Sequence, residues 1–360
     1  MIAGLWLLAA SLLHPGPARP DTGLVTRNVI LVTIDGFRWQ ELFSGADSAL
    51  LATITDSATR AGAARAFWRP DAAARRQALL PFLWGTVATE GQLLGNRFDG
   101  GSVRVTNGLR FSYPGYQEIL AGFPDSRISS NDPVPNPNVT VLEWLNGQPE
   151  MAGRVAAFGS WNAFTAIINA GRSGVPVNAG WEPVEGGSPE ADLLNRAQAF
   201  STRTWEEERD DALTYLAAHD HLVRHQPRLL YIGLGDTDEW AHAGRYATYL
   251  DMAHRTDAML RELWETVQSL PAYRGRTSLV LVTDHGRGDG SRWTDHGRDV
   301  PEAEFIWIGV LGPDTPARGA RTDLKDATQS QVAATVAALL GYDYSGAVTR
   351  AGRPLPGVIR

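Results

Sequence analysis

Three short apolar runs in this 360-residue chain each end on an acidic group, and two of them continue into histidine. Asn28 to Ile34 stops at Asp35-Gly36. Arg228 to Leu234 is followed by Gly235-Asp236-Thr237-Asp238 and then His242. Thr277 to Thr283 is followed by Asp284-His285-Gly286. Carboxylates and imidazoles are the donors that remain for a transition metal when cysteine is absent, and the chain has no cysteine. Such a donor set suits zinc or manganese. Asp238 and His242 are spaced i, i+4, so one helical face could direct both at one cation. Asp236 fits that face less well, which gives it a supporting place behind the ligands. The sequence Thr-Asp-His-Gly-Arg occurs twice, around His285 and around His296, and the glycine after each histidine admits close approach of the backbone to a ligand. Ser112, in Phe-Ser-Tyr-Pro-Gly-Tyr, immediately precedes a helical pattern with Pro114 near its start. A serine there faces the backbone N–H groups and dipole that favour an anion. Taken singly, each of these residues is also what a turn or a helix cap contains; the combination carries the reading. The other five histidines fall in the N-terminal segment (His14) or in helical stretches (His219, His221, His225, His254).

The apolar runs are continuous rather than alternating, which is the pattern of strands covered on both faces. Phe305 to Leu311 is a fourth. Helical stretches lie between them at about Ser48 to Ala64, Asp71 to Ala88, Ala191 to His225, Tyr246 to Leu270 and Gln329 to Leu340. This alternation predicts an α/β fold: a largely parallel central sheet flanked by helices on both faces. Ligands bind such sheets at the C-terminal edge of the strands, where the acidic residues fall. Pro133 to Pro137 and Gly171 to Pro189 read as surface loops or a small cap insertion.

The composition is that of a globular protein, 43% hydrophobic and 20% charged, with a net charge of −7 and Lys325 as the only lysine. No basic stripe suggests a nucleic-acid track, so a small-molecule substrate is expected. Ile2 to Leu13 is too short to span a bilayer and is followed by small residues, so residues 1–18 read as a secretory signal peptide and residues 19–360 as one hydrolase domain. The expected location is periplasmic or secreted, with no transmembrane anchor.

The order Asp35, Ser112, Asp238 with His242, Asp284 with His285, then His296 resembles the alkaline phosphatase superfamily. That superfamily includes phosphatases, nucleotide pyrophosphatase/phosphodiesterases, arylsulfatases and cofactor-independent phosphoglycerate mutases. Ile-Leu-Val-Thr-Ile-Asp-Gly-Phe-Arg around Asp35 looks like the opening metal strand, and Ser-Tyr-Pro-Gly-Tyr like the phosphodiesterase-type nucleophile turn. The resemblance covers about Asn28 to Gly341. It implies two divalent metal ions, zinc or manganese, one held by Asp35, Asp284, His285 and Ser112 and the other by Asp238, His242 and His296. It further implies Ser112 as nucleophile through a phosphoseryl intermediate, with the Tyr113 N–H and Asn131 as donors to the developing oxyanion.

Within the superfamily, Tyr116 stands where formylglycine sulfatases carry arginine, which argues against that activity. Asn162 and Phe164 stand where some phosphomonoesterases carry a Lys-x-Arg pair, which favours diesters, and Trp161, Trp181 and Trp205 are candidates to stack on a leaving group. A phosphomonoesterase, in which Arg172 or another arginine supplies the missing cation, is the alternative enzyme. A non-catalytic metal- or ligand-binding protein on the same fold is the alternative outside enzymes. The chain is too short for the mutases' inserted domain.

Overall fold

The computed structural model describes residues 23–360, so the segment read as a signal peptide lies outside the described residues. Its strands are β1 (Asn28–Ile34), β2 (Gln92–Leu94), β3 (Val103–Arg104), β4 (Val155–Gly159), β5 (Val177–Ala179), β6 (Leu229–Leu234), β7 (Thr277–Val282), β8 (Phe305–Ile306), β9 (Ile308–Leu311), β10 (Gly319–Ala320) and β11 (Ala327–Thr328). Eight of them form one sheet in the order β10-β2-β9-β7-β1-β6-β4-β5, and β11-β3-β8 form a small second sheet. β1 lies at the centre, parallel to β6 and β7, and β4 continues the parallel array beyond β6. The one strand that runs against this array in the large sheet is β9.

β1 is buried along its whole length, as its unbroken apolar sequence requires. Ile30, Val32 and Ile34 point into one core and Val29 and Leu31 into the other, following the two-residue period of a strand. Helices cover both faces. Asp211–His225 and Tyr246–Ser269 contribute Tyr215, Leu222, Tyr249 and Leu260 to the first core. Ser112–Ala121 and Val332–Leu339 contribute Ile119, Leu120 and Val336 to the second. Among the described residues no helix is long and apolar enough to cross a membrane.

The expected sheet, flanked on both faces, is present. Several elements differ from the sequence reading. The run Phe305 to Leu311 is not one strand: it divides at Trp307 between the small sheet and the large one. The indole of Trp307 is fully buried, donating from Nε1 to the Phe37 carbonyl at 2.9 Å, and the chain steps between sheets around it. The stretch Ala191 to His225 is two helices, Pro189–Phe200 and Asp211–His225, separated by a connection that proves to matter. Gly171 to Pro189 is not simply a loop, since it contributes β5 to the sheet edge. Asp71 to Ala88 breaks at Pro81, after which a π-helical turn runs Leu83–Val87.

That break is tied down by Asp257, whose carboxylate accepts from the backbone N–H of Phe82 at 2.7 Å and of Leu83 at 2.9 Å. Proline cannot continue the i→i−4 ladder, so the freed donors need a side-chain acceptor. Asp257→Ala would leave both donors buried and unpaired and is expected to destabilise the fold by about 2 kcal/mol or more, read by urea denaturation. Burial pushes the Asp257 carboxyl up to about 6, against the opposing pull of the Phe82 and Leu83 amides. A folded-state value above the unfolded one means that this group's stabilisation is complete in acid and is lost as pH rises through about 6. Asp257→Asn should remove that component of the pH–stability slope.

Candidate metal centre and active site

The C-terminal ends of β1, β6 and β7 deliver the acidic residues to one edge. Asp35 directly follows β1. Gly235 closes β6, and the helix Asp236–His242 starts there, directing Asp238 and His242 the same way one turn apart. Asp284 and His285 follow β7. The candidate donor atoms fall into two groups, Asp238 with His242 and His296, and Asp35 with Asp284 and His285, and within each group they lie no more than 4.8 Å from one another.

The imidazoles are held in the form a metal needs. His285 Nδ1 lies 3.0 Å from the Gly286 carbonyl and His296 Nδ1 lies 3.2 Å from the Arg110 carbonyl. A carbonyl only accepts, so each Nδ1 carries the proton and each Nε2 presents a lone pair inward. His285 and His296 stack at 4.0 Å, and His296 Nε2 approaches His242 Nε2 at 2.9 Å. Burial, followed by the nearby His285, pushes His296 far below the usual imidazole range, which keeps it neutral.

The carboxylates are crowded and only partly satisfied. Asp35 accepts from the Tyr116 hydroxyl at 2.8 Å, and Asp284 accepts from the Gly36 N–H at 3.1 Å. Asp35 Oδ1 and Asp284 Oδ2 are buried without a hydrogen-bond donor. Burial raises both carboxyls well above the usual range, with Asp238 adding to the effect on Asp35 and Asp35 to that on Asp284. Asp238 behaves oppositely: burial opposes its ionisation, but the buried Arg287 guanidinium bonded to its Oδ1, then His242 at 3.0 Å from Oδ2, hold it well below that range. Two carboxyls forced toward protonation, each with an orphaned oxygen beside an inward-facing imidazole, fit a divalent cation, which would supply the missing charge.

Ser112 opens the helix Ser112–Ala121, after an extended Phe111, with Pro114 in its first turn. Its Oγ lies 3.4 Å from His285 Nε2. Gly115 allows the helix to sit this close, since a Cβ there would fall 2.4 Å from the Asp284 carbonyl oxygen. Asn131 Oδ1 accepts the Tyr113 N–H at 2.9 Å. The two expected oxyanion donors are therefore not independent: the Tyr113 N–H is engaged by Asn131 Oδ1. Asp236 belongs to neither donor group; its N–H is held by Asp211 at 3.0 Å.

A pocket of about 390 Å³ opens over these groups, lined among others by Asp35, Ser112, Asn131, Asp238, His242 and His296. Its far wall differs from the sequence reading. Phe164 is buried between Tyr116 and Tyr231, beneath Gly159 and Gly233, and does not line the pocket. Of the three tryptophans only Trp161 lines it; Trp181 instead donates to the Trp205 carbonyl at 3.0 Å. Arg172 is paired with Glu143 at 2.7 Å and is not among the lining residues. The wall is acidic, made by Asp132, Glu207, Glu208 and Glu239. The sequence does not reveal the Arg287 contact with Asp238, the Tyr116 contact with Asp35 or this acidic wall. Arg287 and Tyr116 sit inside motifs singled out from the sequence, whereas Glu207 and Glu208 lie in a stretch read as helix.

A family model described as "Type I phosphodiesterase / nucleotide pyrophosphatase" matches residues 129–341, a span that includes Asn131 and the donors from Asp238 to His296. No curated protein matches the chain in sequence. Among solved structures, wild-type alkaline phosphatase PafA is similar in fold at 10% identity and a TM-score of 0.59, covering 93% of this chain and 99% of that one. A 2-O GAG sulfatase is similar at 12% identity and a TM-score of 0.57, covering 93% of this chain and 74% of that one. A Vibrio parahaemolyticus protein of the alkaline phosphatase superfamily is similar at 14% identity and a TM-score of 0.52, covering 88% and 67%.

Metal analysis after dialysis tests the two donor groups. The expected outcome is two equivalents of zinc or manganese per chain, falling to about one in Asp284→Asn and in His296→Ala, with chelation lowering the melting temperature.

Proposed function

Because the chain belongs to the type I phosphodiesterase / nucleotide pyrophosphatase family, we propose that it hydrolyses phosphate esters, diesters in preference, with Ser112 as nucleophile and residues 19–360 as one hydrolase domain. The carrying observation is the convergence of Ser112 Oγ, at a helix N-terminus, with two groups of three metal-type donors at one sheet edge. Asp35, Asp284 and His285, with Ser112, would hold one divalent cation and Asp238, His242 and His296 a second. Bound there, such cations supply Lewis-acid charge that makes a serine hydroxyl a competent nucleophile near neutral pH.

The chain's own groups do the rest. Ser112 Oγ forms the bond to phosphorus while the ester oxygen departs, and water later cleaves the phosphoseryl ester. The His285 Nδ1–H bond to the Gly286 carbonyl fixes the ring so that Nε2 faces Ser112. Asn131, oriented by the Tyr113 amide, offers its side-chain N–H to a non-bridging phosphoryl oxygen. Gly115 sets the depth of the nucleophile helix against Asp284.

The preference for diesters rests on charge. Neither arginine nor lysine is among the residues lining the pocket, and four carboxylates line it beyond the donor groups. A monoester dianion would leave its second charge facing them, whereas a diester carries one charge.

Initial rates on bis-p-nitrophenyl phosphate, p-nitrophenyl phosphate and p-nitrophenyl sulfate test this reading, with zinc-loaded, manganese-loaded and chelated protein. Metal-dependent turnover with the diester fastest is expected; monoester preference would move the protein to the phosphatases, and no metal-dependent turnover would favour a binding protein. Ser112→Ala should abolish turnover while keeping metal content near wild type. Gly115→Ala, which must shift the nucleophile helix, should lower kcat by about 10²-fold with metal retained.

A further inference from the structure

The pole opposite the metal-type donors carries the reverse charge. Four neighbouring parallel strands of the large sheet, β7, β1, β6 and β4, each begin directly after an arginine: Arg276, Arg27, Arg228 and Arg154. The register keeps these arginines at one edge. Asn28 pairs with Thr277 and Val155 with Leu229, so Arg27 lies level with Arg276 and Arg154 level with Arg228. This edge is about 20 Å from Asp35, the length of the seven-residue strand between them. In a chain with a net charge of −7 the row is a local reversal of sign. Helix C-termini also face this pole, as where Asp211–His225 ends at Gln226, and cations there answer the helix dipoles. The dipoles do not account for how the arginine side chains converge.

Arg27, Arg154 and Arg228, with His225, line a basin of about 640 Å³. Glu150 is the one carboxylate among its lining residues, and it is half exposed, with an oxygen 3.9 Å from Arg228 Nη1. Arg27 Nη1 donates to the Leu24 carbonyl at 2.6 Å and to the Thr26 carbonyl at 3.2 Å, and Arg228 Nε donates to the Arg27 carbonyl at 3.0 Å. These acceptors are neutral, so they position two guanidinium groups without cancelling their charge. The Arg154 guanidinium has no hydrogen bond or ion pair among the described residues. Burial pushes Arg228 below the usual guanidinium range, and Arg154 and Arg27 add to the effect against the opposing pull of Tyr342 and Glu150. Three like charges thus face one space that holds a single loosely placed counter-charge.

We propose that this basin is a second binding site, for a phosphate dianion, free or as the monoester group of a larger molecule. Guanidinium groups present paired N–H donors that match two oxygens of such a group, and three of them around one space approach it from several sides. The ligand would engage Arg154, which has no other partner, and displace the Glu150 carboxylate into solvent. Residues 1–22 join the chain at this pole, through the segment that leads into β1. A free phosphate and the headgroup of an anionic lipid are therefore the two sources of the same chemistry. The site does not depend on the reading of the metal centre.

Calorimetric titration with inorganic phosphate at low salt tests the basin. It is made on metal-loaded protein and on protein dialysed against chelator and then against buffer. Phosphate held by the metal centre is lost with the metal, whereas phosphate held by the basin is retained. One chelation-resistant equivalent is expected, weakened about tenfold in Arg154→Gln and in Arg228→Gln. Arg154 is exposed, so its variant keeps the test open where Arg228→Gln does not fold. Glu150→Gln should bind phosphate more tightly, a gain that a folding defect does not produce. Initial rates on bis-p-nitrophenyl phosphate should be unchanged in all three variants, since none of these residues lines the pocket around Ser112. Sedimentation with phosphatidylcholine vesicles, with and without phosphatidic acid, is the second arm. Binding in either arm that falls in Arg154→Gln supports the site: free phosphate points to a soluble ligand, and retention on phosphatidic acid vesicles alone points to a headgroup. Absence of binding in both arms, or binding that Arg154→Gln and Glu150→Gln leave unchanged, overturns the proposal.

Discussion

Three carboxylates, those of Asp35, Asp238 and Asp284, are buried together at one edge of a parallel sheet, and much of the structure around them answers the cost of placing them there. A buried carboxylate without a partner is strongly disfavoured. The fold brings a tyrosine hydroxyl to Asp35, a backbone N–H to Asp284 and the Arg287 guanidinium to Asp238. The response is uneven. Asp238 has a permanent counter-charge, whereas Asp35 and Asp284 share only neutral donors and His285, and each retains an unbonded oxygen. The charge deficit is therefore concentrated on the group beside Ser112, where a cation would be held most strongly and where it would act on the serine oxygen.

That arrangement depends on the parallel order of the strands. β1, β6 and β7 are neighbours with the same polarity, so residues from positions 35, 238 and 284 converge although they are far apart in the chain. A slip of one residue in β1 would turn Asp35 away and exchange the side-chain sets that fill the two cores, so the cores hold the register of the site. Asp211 adds a cross-tie, joining the ends of β4 and β6 through the Ser160 hydroxyl and the Gly235 N–H.

The parts of this structure that were legible in the sequence are the local ones. The strands β1, β6 and β7 announce themselves as apolar runs, and Asp35, Asp238, Asp284 and His285 lie within a few residues of their ends, so strand, turn and donor could be read together. The i, i+4 spacing of Asp238 and His242 likewise needs only helix geometry. What was not legible depends on contacts between distant segments. Phe305 to Leu311 has the composition of one strand, and only the burial of Trp307 under Phe37 divides it. Phe164 occupies the position expected of a pocket residue, yet the absence of side chains at Gly159 and Gly233 draws it into the core. Asn138, in an Asn-Val-Thr triplet, resembles a glycosylation acceptor, but its side chain is buried and bonded to Asp125 and Arg127. The Asn131–Tyr113 bond joins two residues read separately as oxyanion donors into one device.

The acidic wall shows why the chemistry of such a site is easier to read than its selectivity. Asp35, Asp284 and His285 directly follow strand ends and inherit their positions from the sheet. The wall is assembled from the connection after β4, the segment between two helices and the start of the Asp236–His242 helix, and no periodicity marks any of these as belonging together. Yet it is not a free surface loop. The Trp161–Glu208 bridge extends the hydrogen bonding of the sheet edge outward, and Gly235, which follows the strand that leads to Asp238, also makes room for Glu208. One glycine thus serves two ends: it starts the turn that aims the Asp238 donor and admits the Glu208 carboxylate beside it. The distance between metal-type donors and wall is therefore set by backbone shared between them rather than by a loop free to move.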